Sequence, residues 1–431
     1  MHIPRFPLLF VRLLRFHSCM RDFVRFALVL SGLIVLHFNF AAARGGEMLR
    51  TSGDCFVYVG TYTDGRSKGI YLYRFAAATG ILTPEGLAAE SPDPSFLAVS
   101  PDHRYLYASN EIYDYAGRNS GSVSAFSIER GTGKLRLLNV VASGDPGPAH
   151  LTVDHTGRHV LVANYGIGSV AVFPILADGQ LGKATAHLPH AGHSVNPKRQ
   201  KGPHAHSIYV SPDNRFAVSP DLGTDQVYVY RFDASQGTLV PNRPPFITVA
   251  PGTGPRHLAF DSRGKFVYLV QEFGGILTVF TWDSDSGSLQ QLETFPAGPG
   301  DYRGYNNCAE VFVHPKGTFL YVANRGHDSI GVYAINPEDG RLTPVEYAST
   351  QGKTPRSFAL DSTGSYLIAA NQESNSLVEF RINPNTGHLT PTGQKFYIQA
   401  PACVVFAPAE WLDVGGVGVR SSCNRDGPAA P

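Results

Sequence analysis

The stretch CAEVFVHPKGTFLYVANRG, residues 308–326, holds a short apolar strand, a turn, a second strand and a polar exit. The same layout recurs in SFLAVSPDHRYLYASNE from Ser95, AHLTVDHTGRHVLVANYG from Ala149, HSIYVSPDNRFAVSPDLG from His206, RHLAFDSRGKFVYLVQEF from Arg256 and RSFALDSTGSYLIAANQE from Arg356. A truncated copy, PACVVFAP, starts at Pro401. The turn residues Ser100, Asp154, Ser211, Asp261, His314, Asp361 and Ala407 fall 54, 57, 50, 53, 47 and 46 residues apart. Short strands repeating every 40 to 50 residues or so are the signature of a β-propeller. The Ser-Pro-Asp and Asp-x-x-Gly turns separate runs rich in Val, Leu, Tyr and Phe, as turn formers between strands do.

The two ends complete the count. The Pro401 copy has a first strand and no second, while FVYVGTYT from Phe56 reads as a second strand without a first. Joining them makes one blade from both termini and closes an all-β ring of seven blades with no free sheet edge. Between the hairpins run seven versions of one phrase, such as DQVYVYRFDASQGTL and NSLVEFRINPNTGHL. Each is an alternating strand, an acidic or Asn-rich turn ending in Gly, and a Leu that opens the last strand of the blade. These turns read as solvated outer connections.

The first 43 residues do not belong to the ring. Basic residues from Arg5 to Arg25 precede the apolar run FALVLSGLIVLHFNFAAA, residues 26–43. A basic segment, an apolar segment and small residues before a cut describe a signal peptide. His37 and Asn39 interrupt the run and make it a poor membrane span. Export to the periplasm or outside the cell follows, with residues 54–409 as the propeller, residues 410–431 as a tail and no stable membrane insertion once the leader is cleaved; a cytoplasmic location follows if the leader is misread. A formal charge of +1 and a charged fraction of 16% give no reason to expect nucleic-acid binding. Of five cysteines, Cys19 lies in the leader; Cys55 and Cys403 read either as a clamp across the ring closure or as small buried residues, and Cys308 and Cys423 complete the set. Neither a Cys-x-x-Cys pair nor a His/Cys metal spacing is present, so no metal or cofactor is expected.

Three segments exceed the period: residues 111–120, 187–205 and 299–308. Extra length in a propeller lies on one rim, where ligands enter. The segment 187–205, with His187, His190, His193, His204, Lys198, Arg199 and Lys201, reads either as a basic lid over an anionic ligand or as a solvated loop.

Propeller geometry brings one register of the innermost strands into a ring. That register reads Ser95, His150, His206, His257, Glu310, Ser357 and Cys403, flanked by Arg256 and Arg356. A second register leaves the next strand: Asn110, Asn164, Asp221, Gln271, Asn324 and Asn371, then Glu111, Tyr165, Leu222, Glu272, Arg325 and Gln372. The Asn ladder suits local backbone bonding. Glu272 and Arg325 break it with charge. Arg256, Arg325 and Arg356 can grip a carboxylate or phosphate through paired N–H donors. Glu272, Glu310, His206 and His257 can move protons if burial tunes them. An anion grip beside acid/base groups suits opening of a lactone by water; structural ion pairs bracing the channel are the alternative.

YVGTYT near the start, GPHAHS at 202–207, GPRHLAF at 254–260, AEVFVHPKGTFLYVANRG at 309–326 and TPRSFALDSTGSYLIAANQ at 354–372 resemble the seven-bladed propeller lactonases of the 6-phosphogluconolactonase type, relatives of the carboxy-cis,cis-muconate cyclases. The resemblance implies a hydrolase of a sugar lactone, 6-phosphogluconolactone or a related aldonolactone, with no metal and a small, anionic substrate. It implies a cleft containing His206, Arg256, His257, Glu272, Glu310, Arg325 and Arg356. In that cleft Arg256, Arg325 and Arg356, with His150, would hold the substrate. Glu272 or His257 would activate water, and His206 or Glu310 would protonate the leaving alkoxide. A non-catalytic exported propeller that binds a ligand or protein, or a muconate-type cyclase, are the other readings. The oligomeric state is not legible.

Overall fold

The computed structural model describes residues 54–409. They form seven four-stranded antiparallel sheets. The innermost strands are Pro94–Val99, Pro148–Val153, Tyr209–Val210, Pro255–Phe260, Asn307–Val313, Pro355–Leu360 and Pro401–Pro408, which define blades one to seven. Innermost strands of neighbouring blades pack against each other around the ring, with the seventh returning to the first; between blades three and four, where the innermost strand is only Tyr209–Val210, the second strand Phe216–Asp221 makes the contact. Pro401–Pro408 pairs antiparallel with Cys55–Thr61, so the last blade is made from both ends of the described chain. The leader expected over residues 1–43 and the tail expected over residues 410–431 lie outside the described residues, as do Cys19 and Cys423.

The core is not one mass but seven layers, each between two neighbouring blades. Strand alternation produces this. Along Cys55–Thr61, Val57 and Val59 face blade six beside Ile368 and Ala370, whereas Phe56 and Tyr58 face blade one beside Leu106 and Phe126. A strand apolar on both faces is stable only between two partners, so no blade stands alone.

The outer turns do more than connect. Tyr58 donates its hydroxyl to Gly133 O at 2.7 Å, Tyr107 to Gly179 O at 3.1 Å, Tyr268 to Gly340 O at 3.2 Å and Tyr321 to Gly387 O at 3.1 Å. In each pair a second-strand tyrosine reaches the outer turn of the next blade. Gly179 and Gly340 have φ of +84° and +72°, and a Cβ on either would run into an aromatic ring of the preceding blade, Tyr105 or Phe266. These glycines are latches between blades.

The innermost strands carry a bulge near their start. Pairing skips a residue between Pro94 and Phe96, Pro148 and His150, Pro255 and His257, and Pro355 and Ser357, and between Cys308 and Val311. The bulge corrects the sequence register. Phe96, not Ser95, lies level with His150, because each pairs with the residue before the ladder Asn. In blade three Tyr209 pairs with Val218 as Ala259 pairs with Tyr268, which places Ser207 level with His257 and His206 level with Arg256. Ser95 and His206 are therefore one residue out of the expected ring. An inserted residue flips its neighbours to opposite faces, and counting by twos does not see it.

Candidate active site

The bulge and the exit ladder together build the site. Bulge residues His206, Arg256 and Arg356 turn toward the same end as the exit residues Glu111, Tyr165, Glu272 and Arg325. The ladder beneath is structural. Asn164, Asn324 and Asn371 donate to the backbone oxygens of Ser143, Ala297 and Thr350. Asp221 accepts from the backbone of His204, Gly223 and Thr224. The rigid ladder holds the next residue of each exit at the channel mouth.

Glu272 is the centre of that mouth. Arg256 Nε lies 3.1 Å from its Oε2, Arg325 Nη2 lies 2.9 Å from the same oxygen, and Arg199 Nη2 lies 3.1 Å from Oε1. Burial alone would raise this carboxyl, but Arg325, Arg256 and Arg199 outweigh it and hold it down at about 2. Arg256 is fully buried and also donates to Ala309 O. Burial, then Arg325 and Arg356, pull its guanidinium down to about 10, still a cation at neutral pH. Across the mouth, Arg356 donates to Tyr62 Oη at 2.6 Å and stands 3.7 Å from Glu111, to which Tyr62 donates at 2.6 Å. Arg199 also donates to Tyr165 Oη at 2.9 Å and lies over the Phe273 ring.

These groups surround a polar cavity of about 480 Å³. Of the eight residues expected from sequence, His206, Glu272, Arg325 and Arg356 line it, and Arg256 lies beneath it through Glu272. Tyr62, Asp64, Glu111, Tyr165, Tyr305, Asn307 and Gln372 complete the wall without having been predicted as site residues, together with Arg199, which the sequence offered only as part of a lid. Glu111, Arg199 and the Tyr305–Asn307 pair come from the three long segments, which therefore meet on one rim. Within residues 187–205, Arg199 alone reaches the mouth cavity. His190 is buried against Asp221 at 2.7 Å, and Lys198 and Lys201 are exposed.

His206 sits edge-on to Tyr165 and to His257, with ring centroids 5.4 and 5.2 Å away. Its Nδ1 has no hydrogen-bond partner. Burial, then Arg256 and His257, push its pKa well below the ordinary histidine value, so the ring is neutral at neutral pH.

The other three expected residues separate from this group. His150 and Glu310 line a second, mainly apolar cavity of about 360 Å³ with Phe96, Tyr209 and Phe312, which shares no lining residue with the first. His257 bridges the two by geometry. Its Nδ1 lies 2.9 Å from Glu310 Oε1 while its ring touches His206. Burial pushes the Glu310 carboxyl up to about 8, against only partial opposition from Arg256. Burial and then Arg256 keep His257 neutral, and burial does the same for His150, which accepts the Ile208 N–H at 3.3 Å. The single cleft expected from sequence is thus two sites back to back.

Cys308 and Cys403 are free and buried, so the clamp of Cys403 onto Cys55 across the closure does not form. Among the described residues, no group of three or more His, Cys, Asp or Glu is placed to hold a metal ion.

A model of the family described as "Lactonase, 7-bladed beta-propeller" matches residues 56–406. A curated relative named 6-phosphogluconolactonase, from Bacillus subtilis strain 168, is 34% identical over 306 residues, covering 71% of this chain and 85% of its own. Another of that name, from Formosa agariphila, is 31% identical over 310 residues, covering 71% and 86%. The solved structure of a periplasmic gluconolactonase from Pseudomonas aeruginosa superposes with a TM-score of 0.77 at 34% identity, covering 83% of this chain and all of that one (100%).

Proposed function

The chain belongs to the seven-bladed β-propeller lactonase family, and from that premise we propose that it hydrolyses the ester bond of a sugar 1,5-lactone to the open aldonic acid at the Glu272 mouth. The observation that carries this reading is the clamp of three arginines on one carboxylate beside a neutral His206 that lines the same cavity. Such a cluster is a fixed array of N–H donors that needs no rearrangement when charge develops on a carbonyl oxygen.

The lactone carbonyl lies against the free N–H groups of Arg325 and Arg356, each guanidinium having more donors than its protein partners use. A water molecule adds to C1 while His206 takes its proton. The tetrahedral intermediate then collapses, the bond from C1 to the ring oxygen breaks, and the leaving alkoxide takes the proton back from His206. Glu272, held at about 2 by its arginines, is too weak a base to activate water at neutral pH and serves as the counter-charge that fixes them. Arg256, which lines no part of the cavity, is a positioning residue. His257, Glu310 and His150 act at one remove, bracing His206 from behind. Asp64, Glu111 and Glu272 balance three of the four arginines at the mouth, Arg199, Arg256, Arg325 and Arg356, and the single positive charge left over serves the oxyanion rather than an obligatory phosphate.

Residues 1–43 act as an export signal and residues 410–431 as a tail, which places the enzyme in the periplasm or outside the cell. The periplasmic gluconolactonase among the similar structures supports this placement. N-terminal sequencing of protein recovered from the periplasm or medium checks it; an intact Met1 on a cytoplasmic protein contradicts it.

The test of activity is acid release by the purified protein from glucono- and galactono-1,5-lactone and from 6-phosphogluconolactone, each corrected for spontaneous opening. Acceleration that falls about 10²- to 10³-fold in Arg356→Ala is the expected result. A folded protein that accelerates none of them would move the reading to a ligand-binding propeller.

A further inference from the structure

Beside the mouth lies a third cavity, of about 420 Å³, which shares Arg199, Tyr305 and Asn307 with it. Each cavity alone lies within the range of roughly 300–1,000 Å³ used for small ligands. A monosaccharide lactone at the arginines therefore leaves the neighbouring space unused. Its wall comes mainly from residues 296–307 and from Phe273, and its only charged residue is Arg199, already committed to Glu272 and Tyr165. The rest is aromatic ring, amide, glycine and proline. That is a poor phosphate site and a good sugar site: a pyranose offers C–H faces to an aromatic ring and hydroxyls to amides.

Tyr305 is the platform. It is 70% exposed, the largest exposure of any aromatic ring near the mouth, yet it is anchored. The Asn307 side-chain amide accepts from the Tyr305 hydroxyl and donates to the backbone oxygens of Asn306 at 3.0 Å and Glu272 at 2.9 Å. The ring face is thereby fixed relative to the arginine clamp. Asn306, also on the cavity wall, donates to Asn324 at 3.1 Å. The segment is seated closely: a Cβ on Gly275 would overlap Asn306, and one on Gly326 would overlap the Tyr305 carbonyl.

We infer that the lactone this site takes carries a second, glycosidically linked sugar, with the lactone ring at Arg325 and Arg356 and the outer pyranose on the face of Tyr305. This rests on the lactonase reading. The probes are cellobiono- and lactobiono-1,5-lactone beside glucono-1,5-lactone and 6-phosphogluconolactone, with the purified full-length protein. The disaccharide lactones should exceed glucono-1,5-lactone at least tenfold in kcat/KM, chiefly through KM. Tyr305→Ala should bring that ratio to about one, and Tyr305→Trp, which keeps an aromatic face, should restore most of it. A wild-type ratio of one or less, a ratio that survives Tyr305→Ala, or a preference for the phosphorylated lactone overturns the inference. If no lactone is hydrolysed, the lactonase reading fails, and calorimetry with cellobionate and gluconate decides the subsite alone. Tighter cellobionate binding that Tyr305→Ala abolishes keeps it, and equal binding of the two acids removes it.

Discussion

Glu272 and Glu310 are both buried and both near Arg256, one just past the end of a second strand and the other within an innermost strand, yet one is held at about 2 and the other raised to about 8. Burial acts on both in the same direction. The difference is the partner: three guanidiniums ring Glu272, whereas Glu310 faces one neutral imidazole and an apolar wall. Two carboxyls beside the same Arg256 can therefore have opposite duties, an ionised brace at a polar mouth and a protonated group in a mainly apolar cavity. Residue type alone would have made either of them the base.

The largest expected effect comes from removing the brace. Glu272→Gln leaves three arginines around an uncharged amide, and breaking a buried pair in this way costs about 3–5 kcal/mol. Denaturant melts should show that loss together with loss of lactone hydrolysis. Glu310→Gln, which replaces a protonated carboxyl by its isostere, should cost less than about 1 kcal/mol at pH 7 and change turnover less than tenfold; equal damage from both variants would break the comparison.

Second in size is His206. His206→Gln should lower kcat by about 10²- to 10⁴-fold. Because burial and Arg256 keep this ring neutral far below its ordinary 6.5, kcat/KM for wild type should stay flat through neutrality, with its acid limb well under pH 6.5. A limb centred at or above 6.5 would assign the proton to another group.

Glu310 predicts a smaller effect, in stability. Its folded pKa lies above the usual 4.5, so between those values the folded state binds the extra proton and stability falls as pH rises. Glu379, raised to about 7, and the buried histidines add their own slopes only below that point. From pH 7 to 8 wild type should lose at most about 1.4 kcal/mol. Glu310→Gln should flatten that loss, as read by melts at the two pH values.

The smallest effect is at a latch far from both carboxyls. Tyr268→Phe removes the bond to Gly340 and should cost about 1 kcal/mol, with lactone turnover unchanged.

Much of the fold was legible because a propeller repeats. Seven copies of a strand, turn and strand fix the blade count, and the orphan strands at Phe56 and Pro401 fix the closure. Most of the site's residue types were legible too, because Glu272 and Arg325 depart from their own ladder. What was not legible was direction. The bulge that sets Arg256 and His257 on different sides of the strand leaves the apolar pattern after Leu258 intact, so His206 and Ser95 fell one place out of register. Arg199 was visible only as one of several lid cations, and its pairing was hidden because it closes on Glu272 from 73 residues away, through an insertion outside the repeat. The inter-blade latches were hidden because a turn glycine looks the same whether or not a neighbouring tyrosine reaches it.

The central claim is that chemistry belongs to the Glu272 mouth and not to the Glu310 cavity. Its most direct measurement is kcat/KM for glucono-1,5-lactone at pH 7 in wild type, His206→Gln and Glu310→Gln, with folding of each checked by melting. The account predicts loss of about 10²-fold or more in His206→Gln and less than tenfold in Glu310→Gln. The reverse order, with Glu310→Gln inactive and His206→Gln near wild type, would contradict it and move the reaction to the other side of the channel.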